Sequence, residues 1–347
     1  MAGLWAWIDK NFLMVGLVTA LTIGLILPEP GRSLKDQNIS LGGFSLSQVA
    51  VILIFMISGV TLSKITKWKE VLKALIIGSI FVLFLSPLVG VPILSLGQVT
   101  PVNRVLLQGM ALFCAVPTTL SSGVAMVGSA NGNVALALIL TTVTNLLGVF
   151  TMPWSMSVIF SGADVEIDGF KMLTSLVIQT LVPLVFGLGL RALQPVEKFA
   201  KDKKKILGRC SNCCIFFVVW LNTSASQDKI VHFPLLDLGV VALLAITVHI
   251  IYRVSAYLVA TAFHFPNKEW VAIVLMCSQK SLPVCVSVMA ALPRELQYST
   301  GTMIVPCIMS HFSQLMIDGF LADRWKLDEA GEFEYFKKDY KPLAGGA

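Results

Sequence analysis

Cys277-Ser278-Gln279-Lys280-Ser281-Leu282-Pro283 interrupts an otherwise apolar run from Trp270 to Leu292. A helix of about 20 residues crosses the roughly 30 Å hydrocarbon core of a bilayer, so the run is long enough to span it. Lys280 stands near its middle, where a charge is costly and marks a functional position. Pro283 has no N–H and breaks the helical ladder just behind it. The run therefore reads as a membrane helix unwound at its centre. A second interrupted stretch, Cys114-Ala115-Val116-Pro117-Thr118-Thr119-Leu120-Ser121-Ser122-Gly123, lies in the first half of the chain. Paired interruptions in matching positions of two halves point to a transporter's binding site.

Composition agrees with that reading. Of 347 residues, 56% are hydrophobic and 13% charged, against about 25% charged in a soluble domain. The class is all-α integral membrane. The net charge of +6 gives no argument for nucleic acid, because the basic residues lie in loops between apolar runs. Seven cysteines, several inside apolar runs, do not form a disulfide pattern, and the single C-x-x-C at 210–213 has no second ligand pair for zinc. No signal or transit peptide is read ahead of the first span.

Ten spans are expected, at roughly 11–27, 44–60, 71–97, 104–129, 133–160, 171–193, 206–225, 234–263, 270–292 and 300–321. Pro28-Glu29-Pro30-Gly31 reads as a hard stop after the first. Threading the spans alternately puts 18 of the 26 Lys and Arg on one side and 6 on the other, with Arg253 and Lys280 inside spans. The positive-inside rule then places both termini on the cytoplasmic-like side. The chain, 1–347, reads as one polytopic domain. Repeat one is 1–165 and repeat two is 166–325, inverted relative to the first; a basic linker at 191–209 joins spans 6 and 7, as a solvated hinge or, alternatively, a contact for anionic lipid. A mobile tail follows at 326–347. The fourth span of each half is broken, and Pro117 precedes Asn145 by the same interval as Pro283 precedes His311.

Pro117, Asn145, Lys280 and His311 are each eleven to thirteen residues from their entry side, so all four fall at one depth. Where spans 4 and 9 unwind, the second half-helices begin with unbonded N–H groups that favour an anion. Lys280 adds a full positive charge. The expected anion-binding set is Lys280, Thr118, Thr119, Ser121, Ser122, Ser281 and His311. The ends of the first half-helices offer carbonyl oxygens, which suit Na⁺ together with neutral side chains. The expected sodium set is Gln279, Ser278, Thr141, Thr144, Asn145 and Gln314. No cofactor is expected beyond Na⁺ as coupling ion, and the partners are a small anion, Na⁺ and the lipid bilayer. No acidic residue is expected near the centre, which argues against a proton–carboxylate relay. His311, Gln314 and Asp318 share one helical face; it reads either as an inner vestibule or as a structural stripe with Asp318 near water. Lys280 has a structural alternative, a cation tying the two broken helices together in place of a bound ion. His249 and Arg253 read as interfacial or structural.

At these residues the chain resembles the bile acid:sodium symporter superfamily, the BASS or SBF-like transporters. The most specific pieces are Ala111 to Ala125, Gly132-Asn133-Val134-Ala135-Leu136-Ala137-Leu138, Ser278 to Val284, and Gln314-Leu315-Met316-Ile317-Asp318. In combination they are most similar to the plant and algal plastid-envelope branch and to a branch linked to calcium uptake. The resemblance implies ten helices, a panel and a core domain with crossed helices 4 and 9, and Na⁺-coupled uptake of organic anions. Family substrates include bile acids and pyruvate, with bicarbonate proposed for algal members. It implies a chloroplast envelope or plasma membrane. Bacterial relatives with two sodium sites carry an acid four positions before the ninth-helix Gln and an Asn after it. Here Leu275 and Lys280 stand at those places, and a serine ligand falls on Ala137 while its threonine falls on Thr141. Lys280 can therefore stand in for an ion's charge.

The expected activity is secondary active transport of a small carboxylate-like anion, bicarbonate or a monocarboxylate such as pyruvate, coupled to Na⁺. The alternatives are a non-transporting regulator of calcium homeostasis, and a Na⁺-independent uniporter or exchanger in which Lys280 replaces a sodium. An intramembrane enzyme is set aside: there is no Gly-x-Ser-Gly, metal cluster or pair of aspartates at one depth.

Overall fold

In a bilayer every backbone polar group needs an internal partner, so long apolar segments become helices. The computed structural model describes Ile8 and residues 12–37, 40–41, 43–62, 71–119, 122–162, 168–292 and 300–334. It is nearly all helix. In chain order the helices are α1 Phe12–Ile26, α2 Pro28–Asp36, α3 Leu46–Thr61, α4 Leu72–Val99, α5 Arg104–Ala115, α6 Ser122–Ser129, α7 Val134–Ile159, α8 Gly169–Arg191, α9 Gln194–Asp202, α10 Lys204–Ala225, α11 Gln227–Val231, α12 Leu235–Ala262, α13 Asn267–Ser278, α14 Leu282–Ala290 and α15 Thr300–Arg324. A two-stranded ribbon pairs Ser40–Leu41 with Phe44–Ser45.

Among the described residues seven helices are long and apolar enough to cross a membrane, with α13 and α14 counted as one; the bent pair α1–α2 makes an eighth. Helices α3 and α5 are apolar but shorter. The protein is an integral membrane protein on that ground. Among the described residues each stretch expected to span contains helix, with breaks inside 104–129 and 270–292.

Three local expectations are corrected. Pro28 ends α1 but also starts α2, bent 88° from it. Proline at the first helical turn loses no bond and is preset for helix, so a stop for one helix serves as a start for the next. The basic linker, expected as a solvated hinge, is exposed over 201–206 but has helix in it: α9 is broken from α10 only at Lys203, with a Glu197–Lys201 ion pair at 3.0 Å. The first part of the segment expected to be mobile, 326–334, is packed. Leu327 is buried, its N–H donates to the Ala130 carbonyl at 3.1 Å, and Asn131 Nδ2 donates to the Leu327 carbonyl at 2.7 Å. The Phe333 ring meets Trp270 edge-on. Apolar residues within the charged run supply what composition hides.

Prolines inside the long helices are absorbed locally. In α4 a π turn at Phe81–Leu85 leads into a 3₁₀ turn at Ser86–Val89 that contains Pro87. In α8 a π turn at Val177–Leu181 precedes Pro183. Such turns accommodate the missing N–H and are frequent at functional places.

Helices α1, α3, α8 and α10 pack on one another. Gly59 of α3 and Gly187 of α8 let backbones touch, since a Cβ on either would collide with a carbonyl of the other helix. Small residues at such crossings bring membrane helices close. The other assembly brings α5, α6, α7, α12, α13, α14 and α15 around the two breaks.

Candidate functional site

Helix α5 ends at Ala115 and α13 ends at Ser278; each is followed by extended backbone before the next helix. The two breaks lie against each other. Ser281 N–H donates to the Pro117 carbonyl at 3.0 Å, and the Thr118 hydroxyl donates to the Met276 carbonyl. Each break thus satisfies backbone groups that the other leaves open. Ser281 also caps α14, accepting from Val284 N–H at 3.5 Å.

Helix α7 holds the first break by its carbonyls. Thr141 Oγ1 donates to the Thr119 carbonyl at 3.0 Å, and Asn145 Nδ2 donates to the Thr118 carbonyl at 3.1 Å. Helix α15 holds the second break by one amide. Gln314 accepts from Lys280 N–H at 2.9 Å, donates to the Lys280 carbonyl at 2.8 Å, and meets His311 Nδ1 at 2.7 Å.

Lys280 is 1% exposed and points to one side of the junction. Its ammonium donates to Ser86 Oγ at 2.6 Å, the Val116 carbonyl at 2.8 Å and the Val82 carbonyl at 3.5 Å, and lies 5.3 Å from the Tyr252 ring centre. Tyr252 Oη donates to the Ser86 carbonyl at 2.9 Å. An ammonium has three donors, and here all three have acceptors.

Gln279 points to the other side. Its Nε2 donates to Asp318 Oδ2 at 2.7 Å and lies 3.1 Å from Met126 Sδ. Its Oε1 lies 3.5 Å from Ser122 Oγ, which is 2.7 Å from Thr119 Oγ1. Three neutral oxygens therefore gather at one point. Gly123 makes room for them: a Cβ there would sit 2.7 Å from Thr119 Cγ2 and 3.0 Å from Gln279 Oε1. Asp318 is fully buried and pairs with Arg253; its Oδ1 lies 2.6 Å from His249 Nε2. His249 Nδ1 reaches the Ser278 carbonyl at 3.2 Å, and the Arg253 guanidinium lies 5.2 Å from the Trp325 ring centre.

The junction therefore gathers Thr118, Thr119, Ser122, Thr141, Asn145, Gln279, Lys280, Ser281 and Gln314, with His311 behind Gln314. Two expected residues turn away. Thr144 Oγ1 donates to the Leu140 carbonyl at 2.8 Å, and Ser278 Oγ to the Val274 carbonyl at 2.8 Å, each within its own helix. Ser121 lies outside the described residues, as do 335–347 of the tail expected to be mobile and, of the basic residues counted for orientation, Lys10, Lys64, Lys67, Lys69 and Arg294.

The expectation of no acid near the centre fails. Asp318 meets Gln279 directly rather than facing water, and it recruits His249 and Arg253 from α12. The shared face of 311, 314 and 318 was the available signal; partners on another helix hid it. Ser86 and Tyr252 were also missed, and nothing in their own sequence context marks them. Among the described residues no cluster of His, Cys, Asp and Glu could hold a metal ion.

A family profile, the SBF-like CPA transporter family, matches residues 11–327. The chain belongs to this family. It is a family of transporters, not enzymes. A probable chloroplastic sodium/metabolite cotransporter, BASS4 of Arabidopsis thaliana, is 32% identical over 93% of this chain and 74% of its own length. Sodium/bile acid cotransporter 7-B of Xenopus laevis is 23% identical over 98% of this chain and its whole length. The putative symporter YfeH of Escherichia coli K12 is 27% identical over 81% of this chain and 84% of its length. Two broken helices meeting at one junction is an arrangement used by secondary transporters to hold substrate and ion.

Proposed function

We propose that the chain is a secondary active transporter that moves a small carboxylate-like anion, bicarbonate or a monocarboxylate such as pyruvate, together with Na⁺. The carrying observation is the contact of the two breaks through Ser281, Pro117, Thr118 and Met276, with side-chain oxygens gathered beside it. Thr119, Ser122 and the Oε1 end of Gln279 form the cation side, where neutral oxygens suit Na⁺. The names of the plant and frog relatives support sodium as the coupling ion. The chloroplast label of the plant relative supports an envelope location. The spans are read as ten, in an inverted five-plus-five repeat with panel and core parts and both termini on the cytoplasmic-like side.

A second reading has its own observation. The Lys280 ammonium sits among Ser86 Oγ and two backbone carbonyls, as a coordinated cation would. On that reading one sodium is replaced by a fixed charge, and anion movement is independent of Na⁺.

Uptake of labelled bicarbonate and pyruvate into proteoliposomes of purified protein separates the two. Uptake under an inward Na⁺ gradient but not an equal K⁺ gradient is the expected result. Equal uptake with either cation selects the second reading. No uptake of any anion overturns transport and leaves the regulator.

A further inference from the structure

Gln279 Nε2 from the second break, with His249 Nε2 and the Arg253 guanidinium from α12, converge on one carboxylate, that of Asp318. The carboxylate is fully buried, and Arg253 is 7% exposed. Arginine commonly grips a carboxylate with two parallel N–H bonds. Arg253 forms an ion pair with Asp318 through Nη2, and none of its guanidinium nitrogens, Nε, Nη1 or Nη2, makes a hydrogen bond among the described residues. A buried donor without an acceptor is costly. The guanidinium therefore has capacity beyond the acid it holds, and the site as a whole is built for a carboxylate.

We propose that Gln279, His249 and Arg253 form the anion-binding site of this transporter, and that Asp318 fills it in the conformation described here. The carboxylate of the transported anion displaces Asp318 from these side chains. Asp318 returns when the anion leaves. The ligand class is a small carboxylate or bicarbonate: flat, singly charged, with two oxygens for the fork of Arg253. Gln279 then has a face for each solute, Nε2 to the anion and Oε1 to the oxygens of Thr119 and Ser122. Lys280 is excluded from this role because its ammonium is already occupied on the opposite side. The inference rests on the anion-transport reading above and assigns its site.

Asp318→Asn removes the competing charge and keeps the shape. It is expected to lower the apparent KM for pyruvate or bicarbonate several-fold while slowing maximal turnover, because the returning acid no longer expels the anion. Arg253→Lys keeps a charge without the fork, and Arg253→Gln removes both. KM is expected to rise about tenfold or more in the second, with Arg253→Lys between it and wild type. A misfolded variant does not gain affinity, so Asp318→Asn keeps the test decisive. Trp325 provides a second readout, since Arg253 lies over its ring. Saturable fluorescence change on adding pyruvate to purified wild type, lost in Trp325→Phe, is expected. Uptake by wild type with KM unchanged in Asp318→Asn and Arg253→Gln overturns this site alone. Neither uptake nor saturable binding of either anion by wild type overturns the transport reading and the site with it.

Discussion

The two sides of the junction differ although they flank one three-residue break, Gln279 to Ser281. On the Lys280 side a fixed positive charge is fully matched: hydroxyl, two carbonyls and an aromatic face surround it. On the Asp318 side the charges match but the donors do not, for the three guanidinium nitrogens of Arg253 make no hydrogen bond among the described residues. A closed set of contacts holds helices together; an incomplete one leaves room for a visitor. The difference separates fastening from binding better than burial does, since both residues are inaccessible.

Lys280→Ala should have the largest effect on this contrast. It leaves the Ser86 hydroxyl and the Val82 and Val116 carbonyls without their charged donor, and the expected loss is about 3–5 kcal/mol of stability, read as a fall in melting temperature in detergent. If the ammonium stands where an ion would, NaCl will recover part of that loss and choline chloride will not. Equal melting of variant and wild type would break the comparison. Ser86→Ala removes one bond to a charge and should cost about 1.5–3 kcal/mol by the same measurement, leaving anion KM unchanged.

On the other side, Gly123→Ala puts a methyl 2.7 Å from Thr119 Cγ2. Overpacking of that kind costs about 1–3 kcal/mol. The sodium half-saturation of uptake should rise with it, because the three oxygens are pushed apart. Ser122→Ala is the smallest change. Its hydroxyl reaches Gln279 only at 3.5 Å, so stability should move by no more than about 0.5 kcal/mol. Half-saturation by Na⁺ should rise by roughly fivefold, equivalent to about 1 kcal/mol. An unchanged sodium dependence would place the ion elsewhere.

Much of this was written in the sequence. Apolar runs of the right length set the helices; Pro117 lies two residues past the end of α5, and Pro283 is the second residue of α14. Lys280 in an apolar run declared itself by its cost. What stayed hidden depended on neighbours far along the chain. Asp318 lies near the end of its helix and looked solvated; only the approach of α12 turned it inward. Ser86 reads as an ordinary residue before a proline until the π turn rotates it toward Lys280. Thr144 and Ser278 had the right chemistry at the right depth, yet a hydroxyl in a helix can bond its own preceding turn, and sequence does not say which way it turns.

The π turn at Phe81–Leu85 makes the seat of the lysine a matter of phase. One residue more than an α turn holds is packed into that stretch, and each helical residue advances the chain by about 100°. Removing a single residue there would swing Ser86 by about that angle around the axis of α4, with Val82 left behind. A shortened helix could stay apolar, span the same thickness and still present the wrong face, so this segment should tolerate changes of side chain far better than changes of length.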